Sequence, residues 1–399
     1  MEGFHSVRFA RPGRRAHADP TTGQHRRPTR PTSTRLKGPG DPRRRRLLIT
    51  SVTAICAVLV AVLALRDASG PSDPAGGAGG AGDPGCRPTA LLEPPCGAWF
   101  GAFVPHDKAD LADKVEEYER HVDRRLDIVY TYHDMSAVTE TRLEGQLLTE
   151  QEQQVGEDRM LLLSWESKWW GGTAAQQPTW KEIAAGELDE AVIDAQAQRV
   201  KEYGERTGKK VFLSFDLEMD TRTPDNGTPA DYVRAYRHIH DRFRDLGVDN
   251  VVWTWIITGY LNHSDLFERM YPGDGYVDWI GYNQYNYYRC HNTEWLSFAQ
   301  TQYASHDWIR THISDDKPLM LSEFGSASDA ERPQRQADWY AQVPRVLKDL
   351  DGVRAALQWN YRDPGPHCDL AVANDRAWAS LRKAAADPYL NQPLEREGG

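Results

Sequence analysis

The chain is short of cysteine, with 5 in 399 residues, and none lies in a CxxC or a Cys/His arrangement of zinc-site spacing. No glycine-rich phosphate loop follows the first apolar run, which counts against a nucleotide-binding open sheet. Net positive charge is absent outside the first 46 residues. That arm holds 13 Lys/Arg against 3 Asp/Glu, while the whole chain carries a net charge of −10. A basic arm ahead of an acidic body excludes a folded nucleic-acid-binding surface, so no nucleic-acid partner is expected. Long hydrophobic runs are absent but for one, and no internal linker interrupts residues 97–390.

The single long run is residues 47–65, uncharged, preceded by Arg43-Arg44-Arg45-Arg46 and closed by Arg66. Its length matches a bilayer core and the arginine cluster should stay inside, which predicts a transmembrane signal anchor. Cleavage after Ala64 is the alternative, and either outcome exports the C-terminal body of the chain. Residues 1–46 read as a disordered cytoplasmic tail, 66–96 as a Gly/Pro-rich linker and 391–399 as a disordered tail. The four cysteines beyond the span allow three connectivities. Cys86–Cys96 with Cys290–Cys368 is favoured, and free thiols are the alternative.

Within 97–390, apolar or aromatic runs at 98–104, 126–132, 160–165, 210–215, 251–256, 277–282, 318–322 and 355–359 predict eight strands. They are continuous rather than alternating, as buried parallel strands are. Helical patterns fall between most of them, at 108–121, 188–203 and 330–350. The clearest opens at Thr228 as N-cap, with Pro229 in the first turn and Gly247 as its stop. Eightfold strand–helix alternation predicts an α/β fold, a (β/α)8 TIM barrel. A doubly wound open sheet is the structural alternative.

Barrel sites form at the C-terminal ends of strands. There the fourth run gives Asp216-Leu217-Glu218 and the seventh gives Glu323-Phe324-Gly325. Two carboxylates facing each other across a barrel mouth are what cleavage of a glycosidic bond requires, one as proton donor and one as nucleophile. Taken singly, a Glu at a strand end is more often a loop ion-pair partner than a catalyst. Trp165, Trp255, Tyr285 and Trp359 near strand ends offer rings on which the apolar faces of sugars stack. Trp253 and Trp279, inside their runs, read as core.

Several segments carry a resemblance. They are 97–103, 211–219 with its Glu-Met pair, 229–233 through 251–255, 271–274 through 277–281, and 317–325. In order, they resemble glycoside hydrolase family 26, a β-mannanase-like family within the clan of retaining barrels. The resemblance implies Glu218 as acid/base and Glu323 as nucleophile of a retaining endo-β-glycanase. Tyr285 would then touch the nucleophile, and Trp359 would lie beneath the sugar at the cleavage point. Trp165 and Trp255 are assigned as substrate-binding residues with them. No metal or organic cofactor is implied. The partner is a polysaccharide, mannan by default, with β-glucan, β-xylan and exopolysaccharide open. A monomer is expected. The chain departs from the family where Leu217 replaces a His and Asp220 an Asn, and where residues 221–227 lack a Trp. These departures keep a second reading in view, a catalytically weak or inactive glycan-binding barrel tethered at the cell surface.

Overall fold

The computed structural model describes residues 89–391, apart from 108, 140–141, 174–175, 292 and 363–368. The anchor expected at 47–65, the arm before it, most of the linker and all but the first residue of the C-terminal tail lie outside these residues. So do Cys86 and Cys368, one member of each expected cysteine pair. Among the described residues no helix is long and apolar enough to cross a membrane.

Eight strands form one closed parallel barrel in chain order. They are β1 (Trp99–Phe103), β2 (Ile128–Asp134), β3 (Met160–Glu166), β4 (Val211–Phe215), β5 (Val251–Ile257), β6 (Trp279–Asn286), β7 (Leu319–Ser326) and β8 (Val353–Trp359). Closure is made by β1 against β8, with Trp99 opposite Ala355 and Phe103 opposite Trp359. The open-sheet alternative is thereby excluded. Alternate residues of each strand point inward, where Trp99, Tyr130, Leu162, Phe212, Ile256 and Trp279 fill the interior. Their neighbours point outward and pack beneath the helices.

The helices are α1 (Leu111–Val122), α2 (Glu150–Val155), α3 (Trp180–Ala184), α4 (Asp194–Thr207), α5 (Pro229–Asp245), α6 (Ser264–Met270), α7 (Phe298–His312), α8 (Arg335–Tyr340), α9 (Val343–Asp349) and α10 (Asp375–Ala385). Helix α5 begins as its sequence dictates: the Thr228 hydroxyl accepts from the Asp231 N–H, and the Asp231 side chain returns a bond to the cap. The single helix expected over 330–350 is two, α8 and α9. Pro344 sits in the first turn of α9, where its missing N–H costs nothing, but it cannot continue a helix from α8.

Residues 89–96, read from sequence as the end of a linker, close the bottom of the barrel. The indole N–H groups of Trp99 and Trp279 donate to the carbonyls of Leu92 (2.7 Å) and Leu91 (2.8 Å). Leu92 packs on the inner core beside them.

Candidate active site

Two arms bring carboxylates to the mouth. The first follows β4, where Asp216 (φ 49°) and Glu218 (φ 52°) both take left-handed backbone conformations that side chains disfavour. Asp216 is fully buried and is held by the Ser167 N–H at 2.7 Å, the Ser167 hydroxyl, the Trp180 indole and the Arg222 guanidinium. Glu218 is strapped to β5 by its own N–H, which donates to the Ile256 carbonyl at 2.9 Å. Leu217, between them, joins the apolar interior beneath the mouth.

The second arm is β7. Its pairing with β6 steps from Leu321 opposite Tyr282 to Glu323 opposite Asn283, so Ser322 is an extra residue. Such a bulge lets consecutive side chains face the same way. Ser322 and Glu323 both reach inward. The Ser322 hydroxyl donates to Asn283 Oδ1 (2.8 Å), and Asn283 Nδ2 donates to Glu218 Oε1 (2.9 Å). Glu323 Oε1 accepts from the Tyr132 hydroxyl at 2.6 Å and Oε2 from the Tyr285 hydroxyl. The Asn283 amide, bonded to Glu218, also favours the ionised form of Glu323.

Their electrostatic environments differ. Burial and the charge of Glu323 raise the Glu218 carboxyl to about 8. Burial also raises Glu323, to about 7, while hydrogen bonds from Tyr132 and Tyr285 pull it back. Burial and the Glu323 charge raise both phenols well above their usual range, so they remain donors. As the pair loses its protons, Glu323 ionises first and Glu218 keeps the remaining one.

A charged wall lies on the β3 side. Glu166, the last residue of β3, pairs with Arg222 at 2.6 Å and Lys168 at 2.8 Å, and accepts from the Trp170 indole at 2.8 Å. Burial would raise its carboxyl, but Arg222 and Lys168 outweigh that and hold it at about 2. Next to it, Arg142 bonds Asp134 and the Trp170 carbonyl. Asn283, Tyr132, Glu166 and Arg222 were not foreseen. Glu166 and Tyr132 do lie in or just beyond apolar runs, as Glu218 and Glu323 do, and that position was their signal.

Trp359 stands at the mouth, partly exposed, and its indole donates to the Tyr132 hydroxyl at 3.1 Å. It stacks with Phe103 (5.8 Å, 23°) and takes Tyr285 edge-on (5.8 Å, 74°). Glu218, Glu323, Tyr285 and Trp359 are thus brought to one place. Trp165 and Trp255 are not, which corrects their assignment to the substrate. Both are fully buried in the layer between strands and helices, Trp165 bonding the Asp134 carbonyl and Trp255 meeting Tyr271. The inward positions around them belong to Ser164, Glu166, Thr254 and Ile256. Trp253 also lies in that outer layer, and Trp279 in the inner core. Among the described residues no group of three or more His, Cys, Asp or Glu is placed to hold a metal ion.

Residues 220–348 match the model of glycosyl hydrolase family 26. Endoglucanase H of Acetivibrio thermocellus is 27% identical over 285 residues, which are 66% of this chain and 27% of that protein. A beta-1,3-xylanase of a Vibrio species is 30% identical over 118 residues, 29% of this chain and 23% of that protein. The chain therefore spans about a quarter of the length of each. Among solved structures, an endo-beta-1,4-mannanase double mutant of Cellulomonas fimi aligns with a TM-score of 0.54 at 17% identity. That alignment covers 75% of this chain and 73% of the other, a likeness of fold.

Proposed function

From the match of residues 220–348 to glycosyl hydrolase family 26, we propose that this chain is a retaining endo-β-glycanase. Glu323 attacks the anomeric carbon while Glu218 delivers its proton to the leaving oxygen. The glycosidic bond breaks and a glycosyl ester forms on Glu323. Glu218, now ionised, then takes a proton from water, which attacks the same carbon and releases the sugar with its configuration retained. The observation that carries this reading is the pair itself: a buried Glu323 and a partly buried Glu218, with two phenols bonded to Glu323 and only the Asn283 amide to Glu218. Such donors favour the ionised form of a nucleophile, and burial favours the protonated form of an acid.

The substrate we propose is a β-linked polysaccharide. Mannan is the default, and β-glucan and β-1,3-xylan stand beside it because relatives bear the names endoglucanase and beta-1,3-xylanase. Residues 47–65 would hold the barrel outside the cell membrane unless cleavage near Ala64 releases it. Finding the full chain in the soluble cytoplasmic fraction of producing cells would refute both.

The deciding experiment is reducing-sugar release from mannans, β-glucans and xylans by wild type, Glu323→Ala and Glu218→Ala. Wild type should release sugar from one class and Glu323→Ala should lose at least about a thousandfold. Azide should restore Glu323→Ala with an inverted product. Glu218→Ala should lose far less on activated aryl glycosides than on the polysaccharide, because a good leaving group does not need its proton. Binding by wild type without any release would favour the second reading, a glycan-binding barrel, to which Leu217 and Asp220 point.

A further inference from the structure

We propose that Arg222 is a positioning residue for the proton donor, holding the arm that carries Glu218 against β3; the proposal rests on the hydrolase reading above. Among the described residues the Glu218 side chain takes its hydrogen bond from the Asn283 amide alone, at 2.9 Å. Its place is therefore set mainly by its backbone, and that backbone is strained. Asp216 (φ 49°) and Glu218 (φ 52°) are both left-handed, a state that persists only where the surroundings over-determine it. A turn follows at once. The Thr221 N–H donates to the Glu218 carbonyl at 2.9 Å, and the Arg222 N–H to the Met219 carbonyl at 3.0 Å. This turn carries the Arg222 side chain to the β3 side of the mouth, where Glu166 ends the strand.

There one guanidinium spans two carboxylates with different nitrogens. Nη2 pairs with Glu166 at 2.6 Å, and Nη1 with Asp216, on the arm itself, at 3.2 Å. The contact with Asp216 closes residues 216–222 into a loop that contains Glu218. The contact with Glu166 fastens that loop to the barrel wall. Little of the three side chains meets solvent (14% of Arg222, 6% of Glu166, none of Asp216), so neither pairing is a loose surface contact. The junction is reinforced from both sides. Lys168 shares Glu166 at 2.8 Å, and the Asn226 amide donates at 2.9 Å to the Ser167 hydroxyl that bonds Asp216. The Arg222 charge also reaches the donor: burial and the Glu323 charge raise the Glu218 carboxyl, and Arg222 joins the Asn283 bond in opposing them. Proton delivery depends on how closely the acid approaches the glycosidic oxygen, so a loosened arm costs rate wherever the proton is needed. Lysine does not replace this arginine, because a single ammonium lacks the fork that reaches both partners.

The test compares wild type with Arg222→Lys, which keeps the positive charge that the two buried carboxylates need, on mannohexaose, cellohexaose and 1,3-linked xylohexaose. The same proteins are assayed on the 2,4-dinitrophenyl β-biosides of each sugar, whose leaving group departs without a proton. On the series that wild type cleaves, Arg222→Lys should lose at least about tenfold in kcat/KM on the hexasaccharide and less than about threefold on the aryl bioside. KM for the hexasaccharide should stay within about twofold, because Arg222 holds the donor and not the sugar. If circular dichroism shows Arg222→Lys unfolded, Glu166→Gln, of the same shape and without the charge, carries the same comparison, with a hexasaccharide loss at least about threefold the aryl loss. Unchanged hexasaccharide cleavage, equal losses on both substrates, or a loss confined to KM overturns the positioning role and leaves the hydrolase reading standing. Silence of folded wild type on all six probes takes down the hydrolase reading, and the positioning role with it.

Discussion

At the residue scale the site turns on how two like carboxyls are made unlike. Burial alone would lift both and leave the proton undecided. Tyr132 and Tyr285, from β2 and β6, break the tie by bonding Glu323. Removing one donor by Tyr285→Phe should weaken the ionised form of Glu323 and raise its pKa above about 7. Under the proposed mechanism turnover needs Glu323 ionised and Glu218 protonated, so kcat/KM is bell-shaped in pH. Its acid limb follows Glu323 and its alkaline limb follows Glu218, at about 8. A hydrogen bond to a charged group is worth about 1.5–3 kcal/mol, so losing one should shift the acid limb upward by about one to two pH units. The variant should then lose more rate at pH 6 than at pH 8. A pH–rate profile with the acid limb unmoved or lowered would refute the role given to Tyr285.

At the scale of elements, local chemistry carries much of the architecture. Four helices, α2, α3, α5 and α7, open with reciprocal capping boxes from Thr149, Thr179, Thr228 and Ser297. Each satisfies N–H groups that the helix leaves without partners. Thr228→Ala should therefore cost about 1 kcal/mol, read as a lower urea midpoint with an unchanged slope. An unchanged midpoint would mean that α5 is held by packing alone. The bulge in β7 is an element-scale device of another kind. Without the extra Ser322, the two-residue alternation of a strand would turn either Asn283's partner or Glu323 away from the mouth.

At the scale of the whole molecule, the mouth and the bottom of the barrel divide the work. The bottom is closed by residues 89–96, which supply the carbonyls that satisfy two buried indoles. A chain beginning at Gly97 leaves both N–H groups without these acceptors and uncovers the apolar floor. Unpaired buried groups cost about 1–3 kcal/mol each, so this chain should unfold at clearly lower urea than one beginning at Thr89. Its turnover per folded molecule should stay the same, because the site lies at the other end. Equal unfolding midpoints would show that the plug contributes nothing.

The sequence by itself determined the eight strands to within a few residues, the cap and stop of α5, and the two glutamates. Runs of apolar residues, Thr-Pro punctuation and polar residues at strand ends are local signals, written in consecutive positions. It could not determine which way Trp165 and Trp255 face. A strand buried on both sides is apolar on both, so its alternation disappears from the sequence, and only barrel closure decides inward from outward. Nor could it supply Asn283 and Tyr132. They matter through bonds to residues 65 and 191 positions away, and such partners exist only once parallel strands are in register. The break of 330–350 into two helices was legible in Pro344, though the periodic pattern hid it. Local order is set by neighbours in the chain. The distribution of protons between Glu218 and Glu323 is set by burial and by partners from other strands, which only the folded barrel assembles.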